Sequence, residues 1–256
     1  MRPTLVFLHG WGLHGGIWAE TASALAGAGP VAWPVAQPDL PGYGGQPAPA
    51  PYDAASLAER LAADFAATRP GPLVLVGWSM GGMVALAWAA HFPEQVRGLV
   101  LVGASPVFRN RADWPHGLTE AALAGFADDL ARDHRATLLR FLALQARGGE
   151  AARAVIARLR DTVFARGEAD RAVLAAGLRL LAGVDLRAEV ARVRCPGLVV
   201  HGGHDTLCLP AAGRWLAERL GDARLALHPH AAHAPFLSHP DWFHTVVRNF
   251  LDERLA

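Results

Sequence analysis

A chain of 256 residues that is 52% hydrophobic and 18% charged, with a formal net charge of +1, can bury one large core, which excludes a disordered chain. All 24 basic residues are arginine, with no interleaving of basic and aromatic residues, so no nucleic-acid partner is expected. No apolar run reaches the ~18 residues of a membrane span. Cys195 and Cys208 lack a framework spacing, so free thiols are expected.

Taken in chain order, the first strand is expected at 4–9, with no charged and apolar leader ahead of it, which sets the expectation of a cytoplasmic protein. It runs into His9-Gly10-Trp11-Gly12, a Gly-flanked turn. A helix follows over about 17–27, then a strand at 33–38 ending in the turn-rich Asp39-Leu40-Pro41-Gly42-Tyr43-Gly44-Gly45. After a helix over 54–68 comes the strand 73–78, which enters Gly77-Trp78-Ser79-Met80-Gly81 and a helix over 81–91. Strands at 97–103, 197–202 and 223–228 alternate with helices over 210–220 and 240–253. Such alternation predicts an α/β fold with a mostly parallel sheet flanked by helices. Residues 118–182 show helical patterning only, so an inserted all-helical cap is expected over 107–183, above a core made of 1–106 and 184–256.

The segment around Ser79 carries the chemistry. Gly-x-Ser-x-Gly between an apolar strand and a helix is the context of a nucleophile elbow, in which a sharp turn presents the serine hydroxyl. A serine needs a base, and the base needs an orienting acid. Following the order serine, acid, histidine, Asp205 after the strand 197–202 and His233 after the strand 223–228 are the expected partners. The oxyanion donors are expected to be the backbone N–H of Met80, next to the nucleophile, and that of Trp11 in the first strand-end loop. His201, His204, His228 and His230 could be grouped with His233 around a metal, but their spacing fits no zinc motif, so neither metal nor organic cofactor is expected.

The cap is basic. Residues 131–180 hold ten arginines and five acids, a net +5 in a chain whose total is +1. That excess suggests an anionic substrate or an acidic partner, although arginines can equally solvate a helix face. On a helix over 150–164, Val155, Ile156, Leu159 and Val163 form an inward stripe, with Arg153 and Arg160 on another face.

Several segments together resemble the α/β-hydrolases and, more closely, the pimeloyl-(acyl-carrier protein) methyl ester esterase family of biotin synthesis. They are His9-Gly10-Trp11-Gly12-Leu13, Asp39-Leu40-Pro41-Gly42-Tyr43-Gly44, Gly77-Trp78-Ser79-Met80-Gly81-Gly82, Asp113-Trp114-Pro115, Arg140-Phe141-Leu142-Ala143-Leu144-Gln145, Val184-Asp185-Leu186-Arg187 and Ala231-Ala232-His233-Ala234-Pro235-Phe236. The resemblance implies hydrolysis of a carrier-bound pimeloyl methyl ester by a monomer, with the acyl carrier protein as partner and small esters as further substrates. It implies that Arg140, Arg153 and Arg158 hold the carrier. It also implies that Phe141, Leu142, Ala143, Leu144 and Gln145 line the acyl channel with Trp11, beside Ser79, Met80 and His233. The same triad would serve a general short-acyl carboxylesterase, a thioesterase or a carbon–carbon bond hydrolase, and the fold can persist in a non-catalytic ligand-binding homologue.

Overall fold

The computed structural model describes residues 2–27, 32–146, 149, 151–165 and 169–255; Arg147, Glu150, Arg166 and Glu168, which enter the expected cap charge, and the first residue of the expected helix 150–164, lie outside them. Six strands, β1 (Thr4–Leu8), β2 (Val35–Ala36), β3 (Leu73–Trp78), β4 (Val96–Val102), β5 (Gly197–Gly202) and β6 (Ala223–His228), form one sheet in the order β2-β1-β3-β4-β5-β6. Every neighbouring pair is parallel. All strands therefore end at one edge, and the loops after β1, β3, β5 and β6 converge there.

The strand alternation feeds two cores. Leu5 and Phe7 of β1, with Val74 and Val76 of β3, enter one cluster, while Val6, Leu8, Leu73 and Leu75 enter the other. Helices α1 (Ala19–Ala26) and α11 (Pro240–Arg254) cover the first face; α2 (Ala54–Thr68) and α3 (Met80–His91) cover the second. The expected strand 33–38 shrinks to Val35–Ala36 because Pro34 and Pro38 bracket it and neither supplies a ladder N–H.

Between β4 and β5 lie α4 (Glu120–Arg132), α5 (His134–Gln145), α6 (Ala152–Phe164) and α7 (Arg171–Gly183), followed by the short α8 (Arg187–Val190). Their starts are written in the sequence: Thr119, Asp133 and Asp170 accept the N–H of Ala122, Ala136 and Ala172, capping α4, α5 and α7. Val155, Leu159 and Val163 of α6 are buried as expected, and Arg153 and Arg160 are exposed. Leu142, Val155, Leu159 and Val163 join the first core, and Leu138, Phe141, Leu174 and Leu178 join the second, so the inserted helices have no separate core.

The two chain crossings of the insertion are clasped together. Arg187 grips Asp185 through Nε–Oδ1 at 2.9 Å and Nη2–Oδ2 at 2.7 Å, and reaches Asp113 at 2.8 Å. Arg111 donates to the same Asp185 at 3.2 Å and to the Gly183 carbonyl at 3.0 Å. The Arg187 guanidinium holds the Asp113 and Asp185 carboxyls below the usual carboxylate range. Further helices are α9 (Pro210–Arg219), α10 (Pro235–Ser238) and a 3-10 turn at Gly15–Trp18; among the described residues no helix is long and apolar enough to cross a membrane.

Trp18 links β1 to the C-terminal helices. It is fully buried, stacks on Phe236 at 4.1 Å and leans on Phe7 at 5.4 Å, while its indole nitrogen has no hydrogen-bond partner among the described residues. Trp18→Ala should therefore cost about 3–5 kcal/mol in chemical denaturation. Trp18→Phe, which keeps a stacked ring and abandons no hydrogen bond, should cost well under half of that; equal losses would contradict this packing role.

Candidate active site

β3 delivers Ser79 into a tight turn before α3. Its backbone stands at φ 55°, ψ −120°, and it is the only non-glycine residue with positive φ among the described residues. Such a conformation persists only where the surroundings hold it. Here Ser79 N–H donates to Val102 O on β4 at 3.0 Å, and Ser79 O accepts from Gly82 and Met83 at 2.9 and 3.2 Å. The turn needs its glycines: a Cβ on Gly81 would lie 2.4 Å from Leu8 O, and one on Gly77 would lie 2.4 Å from Gly81 O. Those close approaches press the start of α3 against the end of β1, which brings the loop 9–12 beside Ser79.

Asp205 and His233 meet across 28 residues, with Asp205 Oδ2 2.7 Å from His233 Nδ1. The other carboxylate oxygen, Oδ1, accepts N–H groups from Leu207 and Cys208 at 2.9 and 3.0 Å, which fixes the plane of the acid. With Asp205 as acceptor the ring proton belongs on Nδ1, leaving Nε2 as the basic atom. Nε2 is buried, and among the described residues it has no hydrogen-bond partner. The imidazole's own backbone is pinned at both ends: His233 N–H donates to Gln145 O at 3.0 Å, and Trp78 Nε1 donates to His233 O at 2.9 Å. The residue preceding the serine thus holds the histidine segment directly.

Trp11 and Met80 are both buried; Met80 follows Ser79 directly, and Trp11 follows Gly10, whose Cβ would lie 3.4 Å from Ser79 Cβ. Among the described residues neither backbone N–H has a hydrogen-bond acceptor, so both are available to a developing oxyanion. An acid-oriented base, a strained serine and two free amides can together carry out acyl transfer through a serine ester.

The five expected channel residues part company on the α5 helix, where successive side chains turn by about 100°. Phe141 meets the Trp11 ring edge-on at 4.9 Å, and Gln145, one turn later, is buried with its Oε1 unpartnered among the described residues. Leu142 packs instead into the core beneath α6. Ala143 and Leu144 line an open groove of about 580 Å³ with Phe126, Arg140 and Ile156. Of the arginines, Arg140 pairs with Asp129 on α4, Arg158 pairs with Glu20 on α1, and Arg153 is exposed.

Several neighbours of the site make contacts that no spacing or period in the sequence marks. His201 is fully buried, with Nε2 2.6 Å from Cys208 O and 3.4 Å from Asp205 Oδ2, and burial lowers its pKa. Tyr43 accepts Gly12 N–H at 3.2 Å, steadying the loop that carries Trp11. His9 bridges the β1 and β2 loops: Leu40 N–H donates to its Nε2, and its Nδ1 faces Gly10 O, both at 2.9 Å. Of the other histidines weighed for a metal, His204 and His230 face each other at 6.3 Å on exposed loops, and His228 lies against Trp242.

Burial lowers the His9 pKa from 6.5 to about 4. A histidine depressed on folding binds its proton more readily in the unfolded chain. The stability it contributes is present above pH 6.5 and is lost as pH falls toward 4, by about 3 kcal/mol. Buried His201 acts in the same direction. Denaturation midpoints should decline across that pH window and be flat above it; a flat profile down to pH 4 would contradict this account.

Comparison with known proteins places the chain. Residues 3–240 match the alpha/beta hydrolase fold family. The pimeloyl-(acyl-carrier protein) methyl ester esterase of Chromobacterium violaceum is 42% identical over 250 residues, covering 98% of this chain and 94% of that protein. The enzyme of the same name from Aromatoleum aromaticum is 45% identical over 246 residues, covering 94% of each chain. The crystal structure of a bromoperoxidase from Bacillus anthracis superposes with a TM-score of 0.89 at 24% identity, covering 98% of this chain and 92% of the other, a likeness of fold. The chain belongs to the alpha/beta hydrolase fold family and, within it, groups with the pimeloyl-(acyl-carrier protein) methyl ester esterases.

Proposed function

We propose that the protein is a serine carboxylesterase that hydrolyses the methyl ester of a carrier-bound pimeloyl chain, releasing methanol and the free carboxylate for biotin synthesis, as a cytoplasmic monomer. The observation that carries the esterase chemistry is the buried Asp205–His233 pair, with its bare Nε2, beside the strained Ser79 turn. The substrate follows from the near-full-length identity to esterases of that name.

In this reading Ser79 attacks the ester carbonyl while His233 Nε2 takes its proton. The N–H groups of Trp11 and Met80 receive the oxyanion. Asp205 holds the imidazole tautomer and stabilises the imidazolium, which then protonates departing methanol. Water, deprotonated by the same nitrogen, attacks the acyl-serine, and collapse of the second tetrahedral state returns the proton to Ser79. No electron transfer is involved. Phe141 and Gln145 face the acyl chain on the inward side of α5. Residues 107–183 act as the lid over the core 1–106 and 184–256, and its arginines Arg140, Arg153 and Arg158 receive the acidic carrier.

Methanol release from pimeloyl-carrier-protein methyl ester tests this reading. Ser79→Ala should lower kcat by at least about 10⁴-fold without unfolding the protein. A Ser79→Ala variant that retains activity would overturn the mechanism. Arg140→Ala/Arg153→Ala should lose about 10-fold in kcat/KM on the carrier substrate beyond any loss on p-nitrophenyl butyrate, and that difference should shrink at high salt. Equal efficiency on both substrates in native enzyme, with no arginine dependence, would leave a general carboxylesterase and refute the carrier assignment.

A further inference from the structure

The loop that carries the Trp11 amide is braced from the lid. Trp11 Nε1–H donates to the carbonyl of Leu174 on α7 at 2.9 Å, across 163 residues of sequence. Leu174 is followed one turn later by Gly177, and α7 lies so close at that point that a Cβ on Gly177 would sit 2.6 Å from Trp11 Cδ1 and 2.9 Å from Nε1. The same Cβ would be 3.5 Å from Met80 Sδ, so this one turn of α7 covers both proposed oxyanion residues. Next in the loop, Gly12 stands at φ 76° directly against Leu138 of α5, whose Cδ2 would be 2.5 Å from a Cβ there. Phe141 closes the remaining side of the indole at 4.9 Å. On the core side the loop has the Tyr43 hydroxyl on Gly12 N–H, while the Trp11 amide itself has no acceptor among the described residues.

A glycine in the middle of a 13-residue helix weakens that helix, since alanine there has the higher propensity. The contact with Trp11 gives the glycine a physical reason. We infer that Gly177 and the Leu174 carbonyl are positioning groups for the reaction: the seating of α7 on the Trp11 indole aims the Trp11 amide at the oxyanion, so the lid sets the rate of the chemical step as well as admitting substrate. The inference rests on the proposed esterase reading, with Trp11 N–H as an oxyanion donor. A donor displaced by a fraction of an ångström loses transition-state stabilisation without losing ground-state binding.

The test is Gly177→Ala, assayed on p-nitrophenyl acetate and on the carrier methyl ester, with folding checked by circular dichroism and thermal melting. The expected result is a kcat about 10–100-fold lower on both esters, with KM changed by less than about 3-fold. Affinity for a boronic acid that mimics the tetrahedral state should fall by the same factor as kcat/KM, while inhibition by a carboxylate product is unchanged. Trp11→Phe keeps the amide and a ring but removes the indole donor to Leu174, so it should show the same kcat-selective loss. It also decides the matter if Gly177→Ala fails to fold. The double variant should be no more than about 3-fold worse than the weaker single, because both act through one contact. Native kcat and boronate affinity in the folded variants would overturn the inference while leaving the esterase reading intact. Native enzyme that turns over neither ester would sink both.

Discussion

A serine at φ 55° is the constraint on which the rest of the molecule depends. A side chain costs about 1–3 kcal/mol in such a backbone region, and the cost must be met by neighbours that cannot adjust. They are β4, whose Val102 carbonyl takes Ser79 N–H, and the first turn of α3, whose amides take Ser79 O. Both are deeply buried: Val76, Val102 and the α3 residues from Met80 to Ala90 are closed to solvent. The parallel sheet then does the remaining positioning. Because every strand ends on the same edge, loops separated by more than 200 residues reach the serine without long excursions.

Around that turn, the groups that position the histidine are hydrogen-bonded, while the basic nitrogen itself is open among the described residues. Asp205 has both oxygens occupied, and the His233 backbone has both its N–H and its carbonyl bonded. His233 Nε2 and the two proposed oxyanion amides stand out as open positions among the described residues. In a buried site of low dielectric an open donor or acceptor is costly, and the same low dielectric magnifies its hold on a charge that develops there. The inserted helices complete this environment by joining the two cores rather than folding separately, and the Asp113–Arg187–Asp185–Arg111 clasp fixes where the chain enters and leaves them.

What could be read in the sequence was what is local or periodic. The β3–turn–α3 pattern around Ser79 is contiguous, and the apolar runs of five of the six strands gave their positions to within a residue or two. Asp205 and His233 were legible because each follows a strand directly, in a fixed chain order. The edge strand came out shorter because backbone pairing, lost at Pro34 and Pro38, outweighs apolar character. The family resemblance implies one channel wall from Phe141 to Gln145, but helical phase sends Leu142 into the core and Ala143 to the surface. The contacts without a sequence signal are single hydrogen bonds, Trp11 to Leu174, Gly12 to Tyr43 and His201 to Cys208, none of which leaves a periodic trace.

The central claim is that Ser79 is a nucleophile activated by the Asp205–His233 pair. Reaction with a fluorophosphonate, followed by peptide mass mapping, tests it without choosing a substrate. The account predicts one adduct, on the peptide containing Ser79, forming at a rate that collapses in His233→Ala and falls strongly in Asp205→Asn. An adduct on another residue, or labelling of Ser79 at the same rate in all three proteins, would contradict it.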